Sequence, residues 1–244
     1  PWGMPHASSW RAGGKAPGLA SLRLQTPDPP RPLTLAQPVE SLPDVTDYRW
    51  NPFASGSTPV ATLLWWFVIS VFGWFAWPLL FPLARGLADR GHALSRMAGW
   101  LLLGWLHWMG ASLDLWTNSL PPLVLLLLFV VLVGRVAWAG QRREMAAFWR
   151  TRKHLILGQE ALFAGAYLLF VLVRLLNPDL WHPWNGGEKF MDFAFLNATL
   201  RSPVFPPYDP YFAGGTVNYY YFGLYLVGLP VRLTGIFAEV AYNL

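Results

Sequence analysis

The chain has 244 residues, 54% of them hydrophobic and 13% charged, with a formal net charge of +5 and no cysteine. Soluble domains carry about 25% charged residues, so this chain cannot cover a water-facing surface with charge, and the absence of cysteine excludes disulfides and thiolate metal sites. The basic residues fall in short runs between apolar stretches, a pattern of membrane topology rather than of a nucleic-acid groove. The expected partner is therefore the lipid bilayer and not nucleic acid.

Residues 1–57 are rich in Pro, Gly, Ser and Arg, with runs such as Pro27-Asp28-Pro29-Pro30-Arg31-Pro32 that exclude helix and central strand. This segment is expected to be a disordered or extended tail. The chain opens on Pro1 rather than Met and closes on Leu244 just after an apolar stretch, so it is expected to be part of a longer protein, with no cleaved signal peptide.

Five apolar stretches follow, at 59–83, 94–113, 120–139, 155–176 and 217–237. Each approaches or exceeds the roughly 20 residues that cross hydrocarbon as a helix. The pattern predicts an all-α protein, a multi-pass transmembrane helix bundle of about five spans. Arg85, Arg90 and Arg96 lie in the first connection, and Arg142, Arg143, Arg150, Arg152 and Lys153 in the third. The second connection carries Asp114 without Lys or Arg, and the long fourth carries only Lys189 and Arg201. Basic loops stay in the cytoplasm. Loops 85–96 and 141–154 are therefore expected inside, with the N-terminal tail and loop 177–215 outside. The expected organisation is a three-helix region at 58–140, a basic loop at 141–154, and a membrane core beginning at 155–244.

Within the long loop, 188–201 reads as a helix. Glu188 and Asp192 are four residues apart and share a face, while most of the other positions are apolar. At about 13 residues it is too short to span and fits an interfacial helix. Asn185-Gly186-Gly187 offers a start and Pro203 a stop.

Three blocks carry a family resemblance: Gly187-Glu188-Lys189-Phe190-Met191-Asp192-Phe193, Pro206-Pro207-Tyr208-Asp209-Pro210-Tyr211, and Asn218-Tyr219-Tyr220-Tyr221-Phe222-Gly223. Together they resemble the YYY-motif family, large multi-pass membrane proteins of bacteria and archaea, which implies the plasma membrane of a prokaryote. That family in turn resembles the C-type glycosyltransferases, which use lipid-linked sugars. In those enzymes an outer loop begins with an acidic residue and continues through an interfacial helix and a Pro-rich, aromatic segment. Their loop follows the first helix, whereas here it follows the fourth apolar stretch.

The resemblance implies transfer of a sugar from a polyprenyl-phosphate donor to an acceptor on the extracytoplasmic face. Glu188 is the candidate base, and Asp192 would orient the acceptor or share a divalent cation with Glu188; the cofactor is otherwise unknown. Lys189 and Arg201 are candidates to meet phosphate. Asp209, Asn218, Tyr219, Tyr220 and Tyr221 are further substrate-binding candidates. Plainer roles stand beside these: solvated interfacial charge for Glu188 and Asp192, a turn for Asp209, and an aromatic belt for the tyrosines. A non-catalytic transporter component or assembly scaffold is the alternative function. Asn197-Ala198-Thr199 also fits a glycosylation acceptor pattern.

Overall fold

A backbone in hydrocarbon must satisfy its own polar groups, which favours helix over any open arrangement. The computed structural model describes residues 42–177, 189–212 and 214–244, and every regular element among them is helical. In chain order these are α1 (Pro52–Ser55), α2 (Thr58–Leu80), α3 (His92–Ser112), α4 (Leu120–Leu176), α5 (Lys189–Arg201), α6 (Phe222–Thr234) and α7 (Ala238–Ala241). Pro43–Leu244 form one unit. Glu188 and His182 lie outside the described residues.

The expected tail at 1–57 needs correction at its C-terminal end. Val45 is buried, its amide donates to the Arg201 carbonyl at 2.9 Å, and the Asn51 amide donates to the Gly235 carbonyl at 2.7 Å. Tyr48 and Trp50 stack at 5.0 Å. The Asn51 side chain caps α1, with Pro52 in its first turn. The prolines here are compatible with the first turn of a short helix, and they do not prevent an extended segment from pairing its backbone with other loops.

α2 and α3 pack as an antiparallel pair in backbone contact. A Cβ on Gly99 would lie 2.0 Å from the Phe72 carbonyl oxygen. Small residues at such crossings let membrane helices approach closely, because dispersion contacts replace the hydrophobic drive there. The turn into α3 uses Gly91 at φ 78. The Asp89 carboxylate accepts from the Gly91 amide at 3.1 Å and the Ala93 amide at 2.8 Å. Burial pushes the Asp89 carboxyl up, but the Ala93 amide, Gln159 and the Gly91 amide outweigh it and hold the group below the ordinary carboxylate value.

The third and fourth apolar stretches form one uninterrupted helical element, so 141–154 is helix and not a loop. Its contacts show how it runs. Gly134 lies against Phe75, Gln141 donates to the Pro78 carbonyl at 3.0 Å, and Phe148 meets Phe81 at 5.4 Å. Further along, Glu160 pairs with Arg96, and the Tyr167 hydroxyl donates to the Thr62 carbonyl at 3.0 Å. A straight helix would separate Gly134 from Tyr167 by about 50 Å, yet Phe75 and Thr62 are only about 20 Å apart along α2. The reach of the side chains does not close that difference. Contacts climb α2 to Phe81 and then return to Thr62, so α4 bends back on itself near its basic segment. The two apolar stretches thus line α2 in opposite directions, joined by exposed, helical Arg142, Arg143, Arg150, Arg152 and Lys153.

The fifth predicted span is also shorter than expected. α6 has 13 residues and ends at Gly235, φ 69, where a Cβ would stand 2.0 Å from the Arg49 carbonyl oxygen. At about 20 Å it cannot cross hydrocarbon. Among the described residues, two helices are long and apolar enough to span, α2 and α4, with α6 a shorter apolar helix.

Two substitutions test this packing. Gly99→Leu is expected to destabilise the α2–α3 pair by at least about 1–3 kcal/mol through overpacking, read as a lowered melting temperature in detergent. Asp89→Ala is expected to cost about 1 kcal/mol near neutral pH as a lost cap. The carboxylate's contribution is present above the ordinary carboxylate pKa of about 4 and is lost as pH falls through the lowered folded-state value. The gap between wild type and Asp89→Ala should therefore narrow in acid.

Candidate functional site

A short helix was expected at 188–201, and α5 covers Lys189–Arg201, with Asp192 in its first turn and Arg201 in its last. Phe195, Leu196, Thr199 and Leu200 form its buried stripe. Leu196 and Leu200 join Trp65 and Ile69 of α2, Val231 of α6 and Ala241 of α7 in one core cluster. The helix is therefore held by the bundle through the N-terminal half of α2. The basic bend of α4 lies at the opposite end of α2, around Pro78 and Phe81.

Asp192 is half-buried and is hydrogen-bonded to the Tyr242 hydroxyl, whose pKa is raised by burial first and by the Asp192 carboxylate next. Phe193 meets the same tyrosine edge-on at 5.9 Å. Tyr242 also lines an apolar cavity of about 620 Å³, together with Trp65, Trp100, Phe163, Tyr167 and Val227. A carboxylate–tyrosine pair thus borders a chamber that suits a hydrocarbon chain.

The remaining predicted residues separate into two groups. Lys189 opens α5 and is half-buried. Arg201 is turned to Asp44 at 2.8 Å, and its pKa is raised by the hydrogen bond to that carboxylate, so the N-terminal segment has claimed this guanidinium. Asp209 accepts from the Tyr211 amide at 2.8 Å, the geometry of a turn residue. Asn218 is exposed. Tyr219 and Tyr220 are exposed, with ring centroids 3.8 Å apart and joined hydroxyls, and Tyr219 touches Phe195 of α5 at 6.1 Å. Tyr221 turns inward, stacks on Phe205, and accepts from the Trp108 indole at 3.1 Å. The triple tyrosine is therefore one anchor and two displayed rings. The glycosylation pattern falls inside α5: the Asn197 amide donates to the Phe193 carbonyl at 2.8 Å, and Thr199 is buried. Among the described residues no three His, Asp or Glu side chains gather as a metal site.

A second polar centre was not anticipated. A helix leaves its last carbonyls without partners, and those of Thr199, Leu200 and Arg201 at the end of α5 find donors from three other segments. Asn118 donates to the Thr199 and Ser202 carbonyls at 2.7 and 2.8 Å, Arg232 donates to the Leu200 carbonyl, and the Val45 amide takes the Arg201 carbonyl. Arg232 is buried, pairs with Asp47 at 3.2 Å and lies over the Tyr48 ring at 5.6 Å. Burial pushes the Tyr48 hydroxyl up to about 12, opposed by the Arg232 charge. The one sequence signal for this centre was the charged and aromatic run Asp47-Tyr48-Arg49-Trp50 just before the first apolar stretch.

Arg232→Met is expected to cost about 3–5 kcal/mol, because it strands both Asp47 and the Leu200 carbonyl. Adding Asp47→Asn should recover part of that loss. Unfolding in mixed micelles measures both; an equal or greater loss in the double variant would refute the pairing.

No curated protein and no solved structure matches this chain. The family model DUF2298, described as an uncharacterized membrane protein, matches residues 102–244, more than half of the sequence and all of α4 to α7. The chain is a member of the DUF2298 family of membrane proteins.

Proposed function

We propose that this chain forms part of a membrane transferase that moves a sugar from a polyprenyl-phosphate donor to an acceptor hydroxyl on the extracytoplasmic face. The observation that carries the reading is the half-buried Asp192, bonded to a tyrosine that also lines an apolar cavity of about 620 Å³. An isoprenoid tail suits the cavity, and the reacting headgroup would then lie at the α5 surface. In the reaction the acceptor oxygen forms a bond to the anomeric carbon as the carbon–phosphate oxygen bond breaks, and the acceptor proton passes to a carboxylate. Glu188 is assigned as that base, and Asp192, steadied by Tyr242, as the group that orients the acceptor. Lys189 would offset the charge of the departing phosphate, and the displayed Tyr219 and Tyr220 rings would face the sugar. Arg201 drops to a structural role because Asp44 holds it. No step is assigned to a divalent cation.

A scaffold role is the second reading, favoured by the returning half of α4. Leu162, Leu168, Leu169, Phe170 and Leu172 there are all more than half exposed, a face suited to lipid or further helices.

The test is a transfer assay of the full-length protein in lipid with a panel of polyprenyl-phosphate sugars. Glu188→Gln and Asp192→Asn are each expected to lower the rate by at least about 100-fold, and Tyr242→Phe by less. Unchanged rates in both carboxylate variants would overturn the assignment, and a wild type inactive on every donor would favour the scaffold.

A further inference from the structure

One stripe of the returning half of α4 runs along the apolar cavity. Phe163 and Tyr167 line it, Val171 is buried, and Arg174 follows on the same side, since steps of four, four and three residues keep to one helix face. Arg174 stands in the last turn of α4, about 10 Å beyond Tyr167 along the axis. Its guanidinium donates to the Asn243 side-chain oxygen. The Asn243 side-chain nitrogen donates to the Glu239 carbonyl at 2.9 Å, which holds that oxygen toward Arg174. Tyr242 and Leu244, on either side of Asn243 in the chain, both line the cavity. Arg174 therefore lies at the cavity rim, at the end marked by Tyr242.

The partner of this guanidinium sets it apart. Arg90 meets Glu144, Arg96 meets Glu160, Arg201 meets Asp44 and Arg232 meets Asp47. Arg174 meets a neutral amide, which orients a guanidinium without cancelling its charge. Arg96 also lines the cavity, but Glu160 balances it. Burial raises the pKa of the Tyr242 hydroxyl first, the Asp192 carboxylate raises it next, and the Arg174 guanidinium opposes them, so the three groups share one neighbourhood. A carboxylate this near would repel an anion unless a cation stood beside it, and Arg174 is such a cation. An apolar chamber with an amide-held guanidinium at its rim matches an amphiphile with an anionic head. A cation that served only the helix dipole or reached for water would not call for an amide that turns it onto the segment after α7.

We propose that Arg174 is the headgroup-binding residue of a lipid site, holding the phosphate of a long-chain lipid whose hydrocarbon lies in the cavity. Phosphate oxygens accept from the planar fork of the guanidinium, a geometry that suits them better than a lysine ammonium does. The hydrocarbon lies against Trp65, Trp100, Phe163 and Val227. The head then stands beside Tyr242 and Asp192. The inference rests on the reading that a lipid chain fills this cavity, and not on the transfer of a sugar. A single arginine closing an apolar run carries no such mark in the sequence, because it reads as the edge of a span.

The test is lipid binding by the full-length protein, read by native mass spectrometry from micelles. The probes are a polyprenyl phosphate, the uncharged polyprenol of the same chain length, and inorganic phosphate. Wild type is expected to hold the lipid phosphate at least about tenfold more tightly than the alcohol, the worth of a hydrogen bond to a charged group. Inorganic phosphate should not displace it. Arg174→Gln should remove most of that preference by weakening the phosphate lipid alone, with polyprenol binding unchanged. Asn243→Asp should do the same, because it sets a carboxylate on the guanidinium as Asp44 does on Arg201. That near-isosteric variant decides the matter if Arg174→Gln does not fold. A preference that survives in Asn243→Asp would overturn the proposal, as would an equal loss of both lipids in Arg174→Gln, the mark of a mere prop. Displacement by inorganic phosphate would also overturn it, in favour of a free-anion site. A wild type that holds neither lipid defeats the cavity reading as well. A preference that follows Arg174 in a protein that transfers no sugar upholds the lipid site and removes only the transferase reading.

Discussion

The carbonyls at the C-terminus of α5 need donors, and meeting that need organises one end of the molecule. A helix end buried away from water keeps its polarity only if other segments supply hydrogen bonds. Here the donors come from the loop before α4, from α6 and from the extended segment before α1. Arg232 does most of this joining, since its guanidinium meets the Leu200 carbonyl, Asp47 and the Tyr48 ring together. Asp47 also accepts from the Leu120 amide at the start of α4. Positive charge at a helix C-terminus is favourable in its own right, so the same contacts that satisfy the backbone also suit the dipole.

The other end of the bundle is closed by a different device. Gly99 on Phe72 and Gly134 on Phe75 bring α3 and α4 into backbone contact with α2. With the helices this close, the His92–Glu160–Arg96 network can bridge α3 and the returning half of α4. The apolar cavity lies along that seam and reaches Tyr242. The carboxylate of Asp192 and the His92–Glu160 network are thus both tied to the cavity lining, through Tyr242 and through Gln159.

The candidate residues were named from the sequence, but how the structure groups them was not legible there. The spacing of Glu188 and Asp192 announced a short helix, and Lys189–Arg201 is one. The turn role of Asp209 was visible in its flanking prolines. The division of the tyrosines was not, because three identical neighbours carry no mark of which one points inward. Phe205 and Trp108 make that choice by offering Tyr221 a stacking surface and an indole donor. Arg201 looked like a phosphate ligand until Asp44, more than 150 positions earlier in the chain, was found beside it.

Composition and hydropathy by themselves determined that this is a helical membrane protein, because so few charges and such long apolar runs leave no other way to satisfy the backbone. They also marked the basic segment at 141–154 as the place where the chain turns back. Only the tertiary structure decided that this segment turns as helix, that residues 43–57 pack into the fold, and that α6 stops short of a span. Each of these rests on contacts between residues far apart in sequence. Local periodicity cannot report such contacts, since it records which side of an element is apolar but not which element will meet it.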